Sequence, residues 1–371
     1  MIGGAMKFTV NTIDLNEGLS VAIRALSQNK LMPILDGIYV RAEGSELMLV
    51  CTDLSLRIEV IIPAEVTEEG SVVIPGKLFS DISRKLPGES ITFSTQKNSV
   101  LITSGKVKTT LQTSPSADYP LMPKIGDPIT LSIEGAAFKK MIRQCSFATA
   151  QDDSKPMLTG VLFEAQYDRL KMVALDGFRL AIRQEKLNSP VEASKSVIVP
   201  VKSLNEFARV IDDRDEKLNI VLSDSHAMID LGHTRLVTRL IDMKFIKYDH
   251  VITSDYKTRV RLNRNELLEA VERAALMSRD SGGDDVNMRF ADDVLNITAS
   301  SQIGGIDEDH MVEMFGGPIE IAFKARYIID VLRNLDDEEV LFDMTSSVSH
   351  CVIRPVEGDA YYYLVMPVRS R

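Results

Sequence analysis

Apolar and polar positions follow the same pattern three times along the chain. In each repeat, a strand-like run leads into a segment with apolar residues at i, i+3 and i+4, which is the period of an amphipathic helix. Each repeat contains two such strand–helix passages. The repeats are spaced by roughly 120 residues. The first helix of each repeat is predicted over residues 15–26, 137–148 and 266–277. The second strand–helix passage is predicted over residues 71–82, 196–207 and 319–329.

Runs of strands broken by single helices are typical of an α+β fold with mainly antiparallel sheets. The proline-bounded stretch 120–123 and the stretch 252–255 mark the boundaries between repeats. Residues 1–5 lack the charged and apolar regions of a signal peptide, and we interpret them as a short extension before the first strand. The prediction is three similar domains, at residues 1–125, 126–254 and 255–371.

A hairpin in the middle repeat carries the strongest local signal. The stretch 173–181 predicts two strands joined by a tight turn at Asp176-Gly177. An Asp-Gly pair between apolar residues favours a hairpin because glycine accepts a positive φ without a steric penalty. Phe178 and Leu180 alternate with Arg179 and therefore lie on one face of the second strand. Taken alone, this is an ordinary hairpin in a half-buried sheet.

Composition narrows the class of protein. A hydrophobic fraction of 44% and a charged fraction of 26% are those of an ordinary globular protein, and no apolar run is long enough to predict a membrane span. Cys51, Cys145 and Cys351 are scattered and lack zinc-site spacing, so they indicate a reducing compartment and buried thiols. The net charge of −10 argues against a protein that coats DNA, but it permits a ring that is acidic outside and basic inside.

No motif predicts a catalytic site, a metal site or a cofactor. The histidines have no i, i+4 pair, and neither a phosphate-binding loop nor a Gly-x-Ser-x-Gly elbow occurs. Two alternatives from other classes stay open: a Mg²⁺-dependent enzyme that uses acidic clusters, and an α+β repeat scaffold that binds peptides but never DNA. Solvated turns are the simpler interpretation of the clusters. The clusters lie at residues 152–153, 212–216, 284–285, 292–293, 307–309 and 336–339.

Two segments carry a resemblance to a known family. The sequence Asp-Gly-Phe-Arg-Leu at 176–180 and the sequence Val-Met-Pro-Val-Arg at 365–369 resemble motifs of the bacterial sliding clamp, the β subunit of the replicative DNA polymerase. The resemblance extends over residues 6–369. It implies a non-enzymatic, ring-shaped, head-to-tail homodimer with sheets outside and helices lining a central hole. Such a ring slides on duplex DNA in the bacterial cytoplasm, at the replication fork. It tethers the polymerase, the clamp loader and other clients, which bind through short peptides containing leucine and phenylalanine.

The resemblance also implies a hydrophobic peptide pocket between the second and third domains. Phe178 stands where the family often has histidine, and Ile246 stands where it often has proline, so a more apolar rim and a different client preference are expected. The alternative interpretation is that the carboxyl-terminal segment 363–369, the tail, is simply a closing strand of the third sheet. The residues carried over to the pocket are Lys155, Leu158, Leu175, Gly177, Phe178, Arg179, Leu180, Ile246, His250, Val251, Val348, Leu364, Val365, Met366, Pro367, Val368 and Arg369.

Basic residues are the second predicted site. A lysine recurs at the start of the second helix of every repeat, and lysines suit sequence-independent contact with phosphates because they are mobile point charges. The alternative is a solvent-exposed helix face. The predicted DNA-facing residues are Arg24, Asn29, Lys30, Lys77, Lys139, Lys140, Arg143, Lys155, Lys202 and Lys324.

The predicted dimer interface is the third site. Leu276 and Met277 match apolar family residues that meet the first domain of the other chain, where Thr109 replaces the family's aromatic residue. Core packing of an amphipathic helix explains Leu276 and Met277 equally well. The sequence therefore does not predict how tight the dimer is.

Overall fold

The computed structural model describes residues 6–27, 31–212, 217–253, 255–278 and 284–368. Contacts divide the chain into two compact units. Unit 1 is Met1–Gly135 with Arg209–Leu240, and unit 2 is Ala136–Ala208 with Ile241–Arg371.

Each α-helix in the described residues follows a strand directly or after one residue, as the repeat pattern predicts. The first helix of each repeat begins two or three residues earlier than predicted. In the first and third repeats, an asparagine side chain caps the first turn. The side chain of Asn11 accepts hydrogen bonds from the backbone of Ile13 and Asp14, at 2.8 and 3.4 Å, and so starts the first helix. The helices are α1 (Thr12–Ala22), α2 (Gly76–Ser83), α3 (Gly135–Ser146), α4 (Val201–Val210), α5 (Arg264–Ser278) and α6 (Ala325–Asn334).

Unit 1 holds two antiparallel sheets within its described residues. The first contains β1 (Lys7–Asn11), β5 (Glu65–Glu68), β7 (Ser90–Gln96), β8 (Ser99–Ser104) and β9 (Val107–Gln112). The second contains β2 (Gly37–Glu43), β3 (Glu46–Thr52), β4 (Leu56–Pro63), β6 (Gly70–Pro75), β10 (Ser114–Pro115), β11 (Ile129–Ile133), β16 (Leu218–Leu222), β17 (His226–Asp230) and β18 (Thr234–Arg239). Their strand orders are β5-β1-β7-β8-β9 and β10-β6-β2-β3-β4-β18-β17-β16-β11.

Unit 2 repeats this arrangement in the residues that the structure describes. Its larger sheet contains β12 (Gly160–Gln166), β13 (Arg169–Leu175), β14 (Arg179–Lys186), β15 (Lys195–Pro200), β19 (Thr258–Asn263), β23 (Glu313–Gly316), β25 (Glu339–Met344), β26 (Cys351–Pro355) and β27 (Tyr361–Val365). The smaller sheet contains β20 (Asp285–Ala291), β21 (Val294–Ser301), β22 (Gly304–Met311) and β24 (Ile319–Lys324). The orders are β15-β12-β13-β14-β27-β26-β25-β19-β23 and β22-β21-β20-β24.

The strand pairings of the described residues are all antiparallel, so the α+β prediction is confirmed. The two units do not follow the repeat boundaries, because sheets continue from one repeat into the next. In unit 1, β18 pairs with β4. In unit 2, β14 pairs with β27, which places Leu180 opposite Leu364 and Arg179 opposite Val365.

The turn at Asp176-Gly177 is confirmed. Gly177 has φ +98, and the Asp176 carboxylate accepts hydrogen bonds from the backbone of Phe178 and Arg179, at 2.9 and 3.0 Å. In the third repeat, Asp292-Asp293 has φ of 53 and 57, and this acidic pair serves as the hairpin turn between β20 and β21.

The three cysteines are buried and free, as predicted. Burial raises the pKa of the Cys145 thiol to about 12, which keeps it protonated. Cys145 therefore behaves as a small apolar residue and is a poor nucleophile. No helix in the described residues is both long and apolar enough to cross a membrane.

Candidate functional site

A hydrophobic cluster lies on one face of the larger sheet of unit 2, where β14 pairs with β27. Leu180 and Leu364 are opposite each other in register and are both buried. Their neighbours on the same face complete the cluster, because directly paired residues of antiparallel strands share a face. The buried members are Leu162, Val173, Leu180, Ile182, Ile198, Tyr248 and Leu364. The half-buried members are Met157, Leu175, Ile241, Phe245, Val251 and Tyr362.

The connecting segment 241–253 supplies several of these residues and is tied to the sheet. The backbone N–H of Ile241 donates to the carbonyl of Ile198 at 3.0 Å. Farther along, the hydroxyl of Tyr362 accepts from the Thr253 N–H at 3.2 Å. Between these points, the Tyr248 hydroxyl donates to Glu164, whose carboxylate lies 3.0 Å from the Lys171 ammonium.

The phenol of Tyr248 stays a donor because burial and the adjacent Glu164 raise its pKa. A protonated hydroxyl is required for a hydrogen bond to a carboxylate. Tyr248 therefore fixes the middle of the connecting segment over the hydrophobic cluster.

Large apolar side chains remain exposed beside the hydrophobic cluster, whose buried residues Leu180 and Leu364 form an apolar floor. Phe178, at the hairpin tip, is 56% exposed, and Met366, just after β27, is 38% exposed. The Met366 N–H donates to the Phe178 carbonyl at 2.8 Å, so the tail continues alongside the hairpin. Exposed apolar residues beside a buried apolar cluster suit the binding of apolar side chains of a ligand, and we call this surface of Leu180, Leu364, Phe178 and Met366 the slot.

A buried guanidinium holds the hairpin tip in place. Arg179 is 5% exposed, and its Nη1 lies 2.6 Å from Asp330 of α6. Its Nη2 donates to the carbonyl of Phe147 at 2.7 Å, and its Nε donates to Asp176 at 3.0 Å. Because each nitrogen has an acceptor, the buried charge is compensated. The guanidinium also lies 4.8 Å from the ring centroid of Tyr327.

Aromatic contacts extend this anchor to the surface. The rings of Phe178 and Tyr327 stack with centroids 6.2 Å apart and an interplanar angle of 24°. Lys324, the residue before α6, places its Nζ 6.0 and 5.9 Å from the centroids of these two rings. The side chain predicted to face DNA in the third repeat thus lies beside the predicted pocket.

The structure brings many of the predicted pocket residues together in unit 2. Leu175, Leu180, Val251 and Leu364 belong to the cluster, and Leu158 is buried in a 3-10 turn at Pro156–Thr159. The other members differ in exposure: Lys155, Gly177, Phe178, Ile246, His250, Val348 and Met366 are exposed, and Pro367 and Val368 are half-buried.

Two of the predicted pocket residues do not line the slot. Val365 is fully buried opposite Arg179, on the other face of β27 from Leu364. Arg179 lies on that same face and supports the hairpin from behind. Arg369 lies outside the described residues.

Sequence reasoning missed several residues of the site. Tyr248 could have been found, because it ends the sequence Phe-Ile-Lys-Tyr at 245–248, which contains the predicted pocket residue Ile246. Asp330 and Tyr327 gave no signal, because an acidic or aromatic residue on a helix is usually explained by the helix surface alone. Their role depends on contact with Arg179, which is 151 positions away from Asp330.

The predicted DNA-facing residues have different surroundings. Arg143 donates to both carboxylate oxygens of Asp336, at 2.7 and 2.6 Å, and Lys140 lies 3.2 Å from the same carboxylate. Arg143 in particular lowers the pKa of Asp336, so two of these cations are partly neutralised. Arg24, Lys77, Lys155 and Lys202 are exposed, Lys139 is half-buried, and Asn29 and Lys30 lie outside the described residues.

The predicted interface residues lie on both units. Leu276 of α5 is exposed and Met277 is half-buried. Thr109 is half-buried on β9, which is an outer strand of its sheet. Among the described residues, β22 is likewise an outer strand of the smaller sheet of unit 2.

Carboxylates of the acidic cluster at residues 307–309 have structural partners. Asp307 and Asp309 both accept from the Asn296 amide, at 2.6 and 2.8 Å, and Glu308 lies 3.1 Å from Arg273. Within the described ranges, no group of three or more histidine, cysteine or carboxylate side chains is arranged to hold a metal ion.

Comparison with known proteins gives matches along nearly the whole chain. Models of the DNA polymerase III beta subunit match its N-terminal domain at residues 6–123, its central domain at 132–247 and its C-terminal domain at 249–369. The chain is 30% identical to the beta sliding clamp of Staphylococcus epidermidis over 378 residues, which covers 98% of this chain and 100% of the relative.

Solved structures of sliding clamps have the same fold as this chain. The DNA polymerase sliding clamp from Bacillus subtilis superposes with a TM-score of 0.96 at 28% identity, covering 99% of this chain and 100% of that one. A sliding clamp from Pseudomonas aeruginosa, solved bound to griselimycin, has a TM-score of 0.92 at 29% identity, with 99% and 100% coverage.

Arg179→Ala should lower the free energy of unfolding by about 3 to 5 kcal/mol, because it leaves the carboxylates of Asp176 and Asp330 without their buried partner. Urea denaturation measures this loss. Arg333→Ala is the matched control. Arg333 lies on α6, the helix that carries Asp330, but it is exposed and pairs with Glu272 at 2.7 Å. The control substitution should cost about 1 kcal/mol or less. Equal losses in the two variants would contradict the anchoring role of Arg179.

Acidification should destabilise the turn that carries Val348. Burial lowers the pKa of the neighbouring His350 below its ordinary value of 6.5, so the unfolded chain binds the proton more readily than the folded one. Stability is therefore full above about pH 6.5 and declines as the pH falls below it. Between pH 7.5 and 5.5, the melting temperature should fall more in the wild type than in His350→Gln. Parallel declines would show that His350 makes no contribution.

Proposed function

Since the chain belongs to the DNA polymerase III beta subunit family, the bacterial sliding clamps, we propose that it is a DNA polymerase processivity factor. In this role it encircles duplex DNA, slides along it and tethers the replicative polymerase. The observation that carries the proposal is the slot of unit 2, where Phe178 and Met366 are exposed and joined by a backbone hydrogen bond, each two residues along the chain from buried Leu180 and Leu364. Exposed apolar side chains next to a preformed apolar floor call for a partner.

The slot suits a short client peptide with leucine and phenylalanine side chains. Leu180 and Leu364 offer an apolar floor, and Met366 adapts its flexible thioether to different clients. Binding the polymerase, the clamp loader and other clients at one slot makes them compete for the same ring. A peptide anchor raises the effective concentration of the polymerase at the template without a large interface.

The ring is proposed to form from two chains arranged head to tail. β9 and β22 are outer strands of their sheets, and outer strands expose backbone groups that can pair with another chain. Leu276 and Met277 of one copy would meet Thr109 of the other. A repeated heterologous contact of this kind closes into a ring, with sheets outside and helices around the hole.

DNA is held by topology, with weak contacts from basic residues. Exposed Lys77 and Lys202 each occupy the second position of a helix and are the strongest DNA-facing candidates. Lys140 and Arg143 contribute less, because Asp336 already pairs with both. Weak, screened contacts let the ring move along the duplex.

The proposed function does not require the protein to catalyse a reaction. Several carboxylates of the described acidic clusters bind neighbouring side chains or form turns, as at Asp307, Asp309 and Asp292-Asp293, and we propose a non-enzymatic protein without a cofactor. It would act at the replication fork in the bacterial cytoplasm. We assign its three domains to residues 1–125, 126–254 and 255–371.

Met366→Ala should weaken binding of a fluorescent leucine-phenylalanine peptide roughly tenfold, because it removes an apolar wall of the slot. Primer extension on a circular template, with polymerase and clamp loader, should then give shorter products. Met32→Ala is the matched control, since Met32 is 39% exposed but belongs to unit 1. It should match the wild type in both assays.

Wild-type protein that fails to lengthen the products would contradict the processivity function. Unchanged peptide affinity in Met366→Ala would instead contradict the assignment of the slot alone. The two assays therefore separate the function from its site.

A further inference from the structure

Lys324 places a positive charge at the edge of the exposed apolar surface of the slot. Its Nζ lies 6.0 Å from the ring centroid of Phe178 and 5.9 Å from that of Tyr327. Both distances are within the range of cation–π attraction. The two stacked rings thus hold the ammonium beside Phe178, which is the most exposed aromatic residue of the rim.

The backbone brings Lys324 and the tail to the same place. Val368 donates its N–H to the carbonyl of Ala322 on β24 at 2.8 Å, and Met366 donates to the carbonyl of Phe178 at 2.8 Å. The tail therefore passes from the hairpin tip to β24, two residues before Lys324. A peptide lying on Phe178 and Met366 would come within reach of the Lys324 ammonium.

The charge of Lys324 is not neutralised by its neighbours. In the part of the chain that the structure describes, no carboxylate oxygen lies within 4.0 Å of its Nζ. Asp176 and Asp330 are both bound to Arg179. Asp285 is opposite Lys324 in register, yet the lysine side chain contacts the aromatic rings instead.

We propose that Lys324 is a specificity-determining residue that favours client peptides with an aspartate or glutamate next to their apolar anchor. This inference rests on the proposed function, because it assumes that the slot binds peptides. An ammonium that already lies against two rings has lost part of its freedom, so a peptide carboxylate gains more from pairing with it than with a fully solvated lysine.

Lys77 and Lys202 have a different position from Lys324 relative to their helices. Lys77 and Lys202 lie inside the first turn of their helices, whereas Lys324 is the residue before α6. This two-position difference accompanies the contact with Phe178 and Tyr327. The third lysine is therefore assigned to peptide selection, and its role differs from that of the other two.

Two synthetic peptides test the inference. Both carry the same leucine and phenylalanine anchors and blocked ends, and they differ only in an aspartate or an asparagine beside the anchors. The proteins are the wild type, Lys324→Met, which keeps the apolar stem without the charge, and Lys324→Arg, which keeps the charge. Lys124→Met, at an exposed lysine of unit 1, is the control.

Fluorescence polarisation should show that the wild type prefers the aspartate peptide about threefold to tenfold, in the range of a partly exposed ion pair. The preference should vanish in Lys324→Met, remain in Lys324→Arg and Lys124→Met, and shrink at high salt. Affinity for the asparagine peptide should stay within about twofold throughout, because the apolar slot is unchanged.

A preference that survives in Lys324→Met, or that is absent from the wild type, would overturn the inference while leaving the peptide slot in place. Failure of both peptides to bind the wild type would count against the peptide slot itself. The asparagine peptide thus separates the two failures.

Discussion

The buried guanidinium of Arg179 is the interaction on which the site depends. It joins the hairpin turn at Asp176 to Asp330 of α6 and to the backbone of Phe147. A charge at this depth is stable only when each nitrogen has an acceptor, so the three elements are fixed relative to one another. On the other face of the same strand, Leu180 can then pack against Leu364. One strand therefore carries a polar anchor behind and an apolar floor in front.

The binding slot depends on the strand that pairs with β14, the strand of Arg179 and Leu180. The pairing of β14 with β27 brings the chain's final segment to the hairpin tip, where Met366 binds the backbone of Phe178. The connecting segment 241–253 is fixed over the same floor by Tyr248 and Glu164. A slot built from three well-separated parts of the sequence is largely preformed, so a short peptide needs to lose only its own freedom to bind. This suits a clamp that exchanges clients and keeps its hold on DNA by closure.

Local features of the fold could be predicted from the sequence, and non-local ones could not. The turn at Asp176-Gly177 and the strand–helix passages depend on neighbouring residues, and the predicted starts of these passages agree with the structure to within three residues. The pairing of Leu180 with Leu364 joins residues far apart in the chain, and only the family resemblance suggested it. The repeat pattern also hides a difference: Lys324 looks equivalent to Lys77 and Lys202, but contact with Phe178 gives it different surroundings. Nothing in the sequence near Arg179 indicates Asp330 as its partner.

Retention on circular DNA tests the central claim, that this chain acts by encircling the duplex. The protein would be loaded onto nicked circular DNA by a bacterial clamp loader and followed by gel filtration at high salt, where contacts with phosphates are screened. A closed ring should stay with the circle and be lost when one restriction cut makes the DNA linear. Equal retention on circular and linear DNA, or loss from both, would contradict topological binding and favour a scaffold that binds peptides without encircling DNA.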